Sequence, residues 1–235
     1  MRVRRVVTTR AGGASRAPFD TFNLSTSVGD QPASVAANRA RLAAGVGLPP
    51  GSVIWMRQVH GTGVATVTGP GEQEFAEVDA LVTDRAGVAL CVLTADCVPV
   101  LLADPAAGVI GAAHAGRVGA AAGVVPAAVA AMTELGAQVE RLEVLLGPSV
   151  CGGCYEVPAE MRAEVHRALP GSGCSTRAGT PGLELRRGLV RQLAGLGVTR
   201  IDADPRCTVE DPTLYSHRRE GRTGRQAAVT WLDRR

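Results

Sequence analysis

Residues 88–117, VALCVLTADCVPVLLADPAAGVIGAAHAGR, constrain the fold more than any other stretch. They hold three apolar runs, at 88–93, 98–102 and 108–113, each bounded by turn residues. Runs this short and this rich in Val, Leu and Ile are buried strands rather than helices, because a helix needs a longer segment to present a full face. Two reactive side chains stand where runs stop. Cys97 follows Asp96 at the break between the first two, and His114 lies just past the third. A thiol and an imidazole at the mouths of buried strands suit a ligand site. They are equally the pattern of a buried structural Cys and a core His bonded to a carbonyl.

A chain of 235 residues can bury a substantial core, and one domain spanning 1–235 is expected. Aromatic residues make up only 3%, so that core has to be aliphatic. Net charge is +3 and every basic residue is arginine. So small a balance argues against nucleic acid as a partner. The N-terminus, MRVRRVVTTRAGG, has basic residues without the apolar run of a secretory leader. No apolar stretch reaches membrane-spanning length, the segment 106–132 being interrupted by His114, Arg117 and Pro126. The expectation is a cytoplasmic protein with reduced thiols, in which cysteines serve catalysis or metal binding rather than disulfides.

In chain order, residues 2–8 read as a strand, followed by a long Gly/Ser/Asn/Asp-rich segment, a length that is uncommon unless functional. Arg10, Asn23 and Asp30 in it are candidates to face a ligand, with Phe19 and Phe22 either stacking on that ligand or anchoring the loop. Residues 33–46 read as a helix, 52–59, 64–68 and 80–82 as strands, and 69–77 as a loop. Residues 118–135 suit an Ala-rich helix weakened by Gly123 and Pro126. Then come a strand at 142–147, a helix opened by Pro158, a loop at 170–182, a helix at 184–196 and a short strand at VTRIDAD. A basic loop precedes the closing strand QAAVTWL. Strands and helices mix without regular alternation, which favours an α+β domain with mixed sheets over a doubly wound one. No GxGxxG opens a helix and there is no lysine for a Walker motif.

The chain has four histidines, at 60, 114, 166 and 217. His166 sits among charges on a helix and reads as solvated. His60 resembles His114, since each ends an apolar run and is followed within two residues by Gly. His60, Cys97 and His114 together offer two imidazoles and a thiolate. This set suits zinc with a fourth position open for water or substrate. It is also the donor set of a blue-copper site, with Met56 nearby, although a multicopper enzyme needs more histidines than four. The same residues serve a third chemistry, in which Cys97 is a nucleophile and a histidine its base. Cys151-Gly-Gly-Cys154 is a lone CxxC pair, weak by itself, and Cys91, Cys174 and Cys207 carry no pattern. Arg218, Arg219, Arg222 and Arg225 form either a solvated basic segment or an oxyanion clamp.

Taken jointly, the segments TTRAGGAS, FNLSTSVGD, AANRARL, RQVHG, VDALVTD, TADCVPVLLAD, GVIGAAHAGR, GPSVCGGCYEV and LYSHRREGRTGR resemble the YfiH/YlmD-like, laccase-domain (multicopper polyphenol oxidase-like) proteins over nearly the full length. The resemblance implies a single α+β domain and metal ligation by His60, Cys97 and His114, with zinc the usual metal and copper reported for some members. It implies phosphorolysis of adenosine, inosine or methylthioadenosine, with adenosine deaminase activity. Phenol oxidation and peptidoglycan editing are also ascribed to members. The expected partners are then a purine nucleoside and phosphate, with Arg10, Asn23 and Arg218 as substrate- or phosphate-binding residues. One position departs from the pattern: Arg117 stands where the family has Trp, leaving the ligands intact and altering the wall beside them.

Overall fold

Each apolar run around Cys97 does become a strand, but the first two enter different sheets. The computed structural model describes residues 1–71 and 74–233. From the N-terminus run β1 (Arg2–Val7), α1 (Pro32–Gly45), β2 (Val53–Arg57), β3 (Val64–Thr66), β4 (Glu74–Ala76) and β5 (Ala80–Thr83). The central stretch supplies β6 (Ala89–Thr94), β7 (Val98–Asp104) and β8 (Val109–Ala115). Then follow α2 (Arg117–Ala122), α3 (Val124–Glu134), β9 (Glu143–Leu146), α4 (Ala159–Ala168), β10 (Gly173–Ser175), β11 (Pro181–Leu183), α5 (Leu185–Gly195), β12 (Arg200–Ala203), α6 (His217–Glu220) and β13 (Gln226–Asp233).

One sheet has the order β1-β13-β6-β2-β4 and a second has β12-β9-β7-β8-β5-β3, while β10 and β11 pair as a small separate hairpin. Both large sheets mix parallel and antiparallel neighbours: β2 runs parallel to β6 and β4, and β7 antiparallel to β8 and β9. The fold is α+β with mixed sheets, as the irregular alternation of elements implied.

Side-chain alternation assigns the strands to three stacked cores. Leu90 and Val92 of β6, Leu101 and Ala103 of β7, and Ile110 and Ala112 of β8 meet between the two sheets. Ala89 and Cys91 turn the other way, onto Leu42 and Ala43 of α1. Val98, Val100 and Leu102 face Val125, Val129 and Met132 of α3 and Leu189 and Leu193 of α5. Both faces of β6 and β7 are therefore covered, which is why these runs read as nearly continuous hydrophobic sequence rather than alternating.

Several local expectations change. Residues 74–76, expected in a loop, form β4, an edge strand recruited in register by β2. The loop at 170–182 contains β10 and β11, and the basic loop contains α6. The helix expected over 118–135 is two helices, broken at Gly123 with φ +97. Pro126 lies in the first turn of α3, where its missing N–H costs no intrahelical bond, so it kinks nothing. Among the described residues, no helix is long and apolar enough to cross a membrane.

Candidate active site

Cys97 stands where the chain leaves one sheet for the other. Asp96 makes that crossing with φ +94, a conformation an L-residue adopts only when its surroundings hold it there. They do: the Asp96 carboxylate accepts hydrogen bonds from Thr208 Oγ1 (2.6 Å), Ser216 Oγ (2.7 Å) and the Arg218 backbone N–H (2.6 Å). His114 continues the row of Ile110 and Ala112 on β8, so its imidazole emerges from between the sheets beside Cys97. His60 follows β2 in the adjoining sheet and also has positive φ, +61.

Asp79 holds the two histidines together. Fully buried just before β5, it accepts the Nδ1–H of His114 at 2.8 Å and the backbone N–H groups of Val59 (3.1 Å), His60 (2.9 Å) and Gly61 (2.7 Å). Its own carbonyl accepts the His114 N–H at 2.7 Å. Burial opposes ionisation of Asp79, and the His114 and backbone bonds outweigh it, so the carboxyl lies below its ordinary range. With Nδ1–H committed to Asp79, Nε2 is the free nitrogen of His114.

The donor atoms of His60, Cys97 and His114 all lie within 4.8 Å of one another. Cys97 Sγ is 4.0 Å from His60 Nε2, and the two imidazoles meet edge to face at 4.7 Å. Gly116 makes this approach possible: a Cβ there would stand 2.7 Å from His60 Cδ2 and 3.1 Å from Cys97 Sγ. Burial alone would push the Cys97 thiol up, but the charge of His114 and hydrogen bonds to His114 and His60 outweigh it and bring it down to about 6. Burial likewise disfavours imidazolium at His114, yet the sulfur and Asp79 raise it to about 9. The three side chains thus share a thiolate and a proton that a dication would displace. A soft sulfur, two imidazoles and an orienting carboxylate fit a transition metal.

Two cavities flank Cys97. The larger, about 470 Å³, is lined by His60, His114, Arg39, Arg57, Arg225 and His217, among others. Thr94 also lines it, and its buried hydroxyl has no hydrogen-bond partner among the described residues. The smaller, about 160 Å³, is walled by Arg117, Tyr155, His217 and Arg218. The Arg218 guanidinium lies over the Tyr155 ring at 5.2 Å. Arg117, in place of the expected Trp, therefore adds a cation to this smaller lobe.

The other expected ligand-facing residues have structural partners. Arg10 does not line either cavity; it pairs with Glu220 at 2.6 Å and Asp20 at 3.4 Å and packs over Tyr215. Asn23 is buried, donating to Ser25 O and Asp30 Oδ2 while accepting from the Ser25 and Arg225 N–H groups, so it positions cavity walls. Asn38 of α1 ties the long loop down through Ala14, Ser15, Thr21 and Asn23, and Phe19 and Phe22 are buried in it as anchors. In the basic segment, Arg219 bonds to backbone carbonyls of 208–214, Arg222 reaches Gly29 O, and Arg218 and Arg225 face the cavities. His217 and Tyr155 lay within LYSHRREGRTGR and GPSVCGGCYEV, but neither was singled out there as a site residue. Asp79 did lie within VDALVTD, but only its contacts reveal its role.

This site sits in a chain whose residues 4–233 match the family model described as multi-copper polyphenol oxidoreductase laccase. The chain belongs to that family. A Mycobacterium tuberculosis H37Rv protein named purine nucleoside phosphorylase is 58% identical over 99% of this chain and 93% of its own length. A Streptomyces griseus protein of the same name is 56% identical over 96% of this chain and 93% of its own. The crystal structure of YlmD from Geobacillus stearothermophilus superimposes with a TM-score of 0.91 at 33% identity, covering 97% of this chain and 91% of that one.

Proposed function

We propose that this protein is a zinc-dependent purine nucleoside phosphorylase. It takes adenosine, inosine or methylthioadenosine with phosphate to the free base and the ribose 1-phosphate, and deaminates adenosine as a second activity. The observation that carries this reading is the convergence of His60, Cys97 and His114 between a nucleoside-sized cavity and a smaller cationic lobe. The identity of more than half the chain to proteins named for that activity supports it. Six free cysteines fit a reducing cytoplasm.

Zinc on His60, Cys97 and His114 would supply a Lewis-acidic position open to an oxygen of water or substrate. In phosphorolysis a phosphate oxygen forms the new bond to C1′, while the electron pair of the C1′–N9 bond leaves with the purine, which gains a proton. Arg117 and Arg218 hold the phosphate in the smaller lobe, where fixed guanidinium charges orient it without reorganisation. Thr94 Oγ1, unpartnered among the described residues, is a hydrogen-bonding group for the nucleoside in the larger lobe. His217 lines both lobes and donates Nδ1–H to Gly221 O at 2.6 Å, leaving Nε2 to exchange a proton with substrate.

Zinc-loaded protein incubated with adenosine and phosphate should release ribose 1-phosphate in an amount equal to the sum of adenine and hypoxanthine. Absence of ribose 1-phosphate would sink the proposal. A second reading, a cysteine hydrolase, is favoured by the Cys97 thiol lying near 6 between two histidines. Turnover of an amide or cell-wall substrate that survives chelation and is lost on Cys97 alkylation would select it. A copper-dependent phenol oxidase of the multicopper kind has too few histidines in this chain.

A further inference from the structure

A second group of metal-ligating side chains lies outside the site just described. The donor atoms of Cys151, Cys154, Cys207 and Glu210 are all within 4.8 Å of one another. They come from two turns of the same form. In Cys151-Gly-Gly-Cys154, the Cys154 N–H donates to the Cys151 carbonyl at 2.9 Å; in Cys207-Thr-Val-Glu210, the Glu210 N–H donates to the Cys207 carbonyl at 3.1 Å. Each turn brings its first and fourth side chains to the same side. A parallel bridge between Ser149 and Cys207 sets the turns face to face, and the Cys151 N–H points at Cys207 Sγ at 3.3 Å. All three sulfurs are free thiols.

We propose that Cys151, Cys154, Cys207 and Glu210 bind a second zinc ion in a closed structural site. Three thiolates and a carboxylate are four donors, which completes a tetrahedral zinc shell without an open position. Sulfur dominates the set, which selects zinc over magnesium or calcium. Arg177 neighbours the four donors: its Nη1 contacts Cys154 Sγ at 3.3 Å and pairs with Glu210 Oε1. Zinc would displace it from the sulfur, and because the Arg177 side chain is 64% exposed, the guanidinium has solvent to move into.

The placement gives the ion a purpose. Tyr155, next to Cys154, walls the smaller lobe beside Cys97. Thr208, next to Cys207, donates to Asp96 and so braces the turn that carries Cys97. A zinc ion here ties together two loops, each supporting one side of the proposed catalytic centre.

The test is zinc stoichiometry by elemental analysis of reduced full-length protein after zinc loading and gel filtration. Two equivalents are expected. Cys97→Ser should keep one, and Cys151→Ser/Cys207→Ser should keep the other. Glu210→Gln, a surface change, should weaken the second ion at least about tenfold against a chelator. A Cys97→Ser protein that binds no zinc, or two equivalents retained by Cys151→Ser/Cys207→Ser, would overturn the proposal. If that double variant does not fold, cobalt-loaded Cys97→Ser protein decides: intense thiolate-to-cobalt absorption is expected, and its absence overturns the site. Failure of the first metal site would appear separately, as a Cys97→Ser variant that loses no zinc.

Discussion

At the scale of single residues, function and stability divide among side chains that look alike in sequence. Arg10 and Arg218 were equivalent candidates for holding phosphate, but only Arg218 borders a cavity. Arg218→Ala should raise the KM for phosphate about tenfold or more with little change in Tm, the loss of one charge-assisted hydrogen bond. Arg10→Ala should instead cost about 1–3 kcal/mol of stability, read by denaturant titration, and leave that KM unchanged, since its ion pair with Glu220 is only about one-fifth exposed. Asp79 makes the sharper case. Asp79→Asn removes the anion that fixes the free nitrogen of His114 and one acceptor in the backbone cradle around His60. Zinc affinity should fall about 10–100-fold in chelator competition. His60, Cys97 and His114 were legible because reactive residues ended apolar runs. Asp79 was not, because a carboxylate before a strand reads like any turn residue until its four donors are seen.

Elements were legible where they were long and periodic, and least so where a neighbour creates them. Residues 74–76 make too short a run to carry a periodic signal, and only pairing with β2 makes them a strand. The break between α2 and α3 was visible as Gly123, whose φ of +97 no other residue adopts cheaply, whereas Pro126 pointed to the wrong place. Two glycines on and after β8 separate packing from chemistry. A Cβ at Gly111 would meet Met132 Sδ at 2.9 Å, so Gly111→Ala should push α3 from the sheet and cost about 1–3 kcal/mol while zinc stoichiometry holds. Gly116→Ala should have the opposite signature, a near-native unfolding curve with zinc lost from the first site, because its Cβ intrudes between His60 and Cys97. Unfolding curves and metal analysis on both variants check the pair.

Across the whole molecule, the layers are pinned by a buried carboxylate far from the active site. Asp104, at the end of β7, accepts from Arg141 Nε and Nη2 and from the Gln138 N–H, tying the sheet to the segment after α3. Burial raises its pKa, but Arg141 and the backbone donors outweigh this and hold it at about 2, against 3.8 for the free group. A carboxyl depressed by folding stabilises above its unfolded pKa and loses that contribution as pH falls through the folded one. Stability should therefore drop by on the order of 2 kcal/mol between about pH 4 and pH 2, and Asp104→Asn should lack this component in pH-dependent denaturation. The sequence by itself determined that the core is aliphatic, that three buried strands surround Cys97, and that His60 and His114 end apolar runs, because burial and strand length are written in local composition. Tertiary structure alone decided that β6 and β7 part into different sheets at Cys97. It also decided which arginines face a cavity and that Cys207 and Glu210 join the CxxC pair. These facts join residues roughly 20 to 120 positions apart, and no local pattern of charge or hydrophobicity encodes which distant turn a side chain will meet.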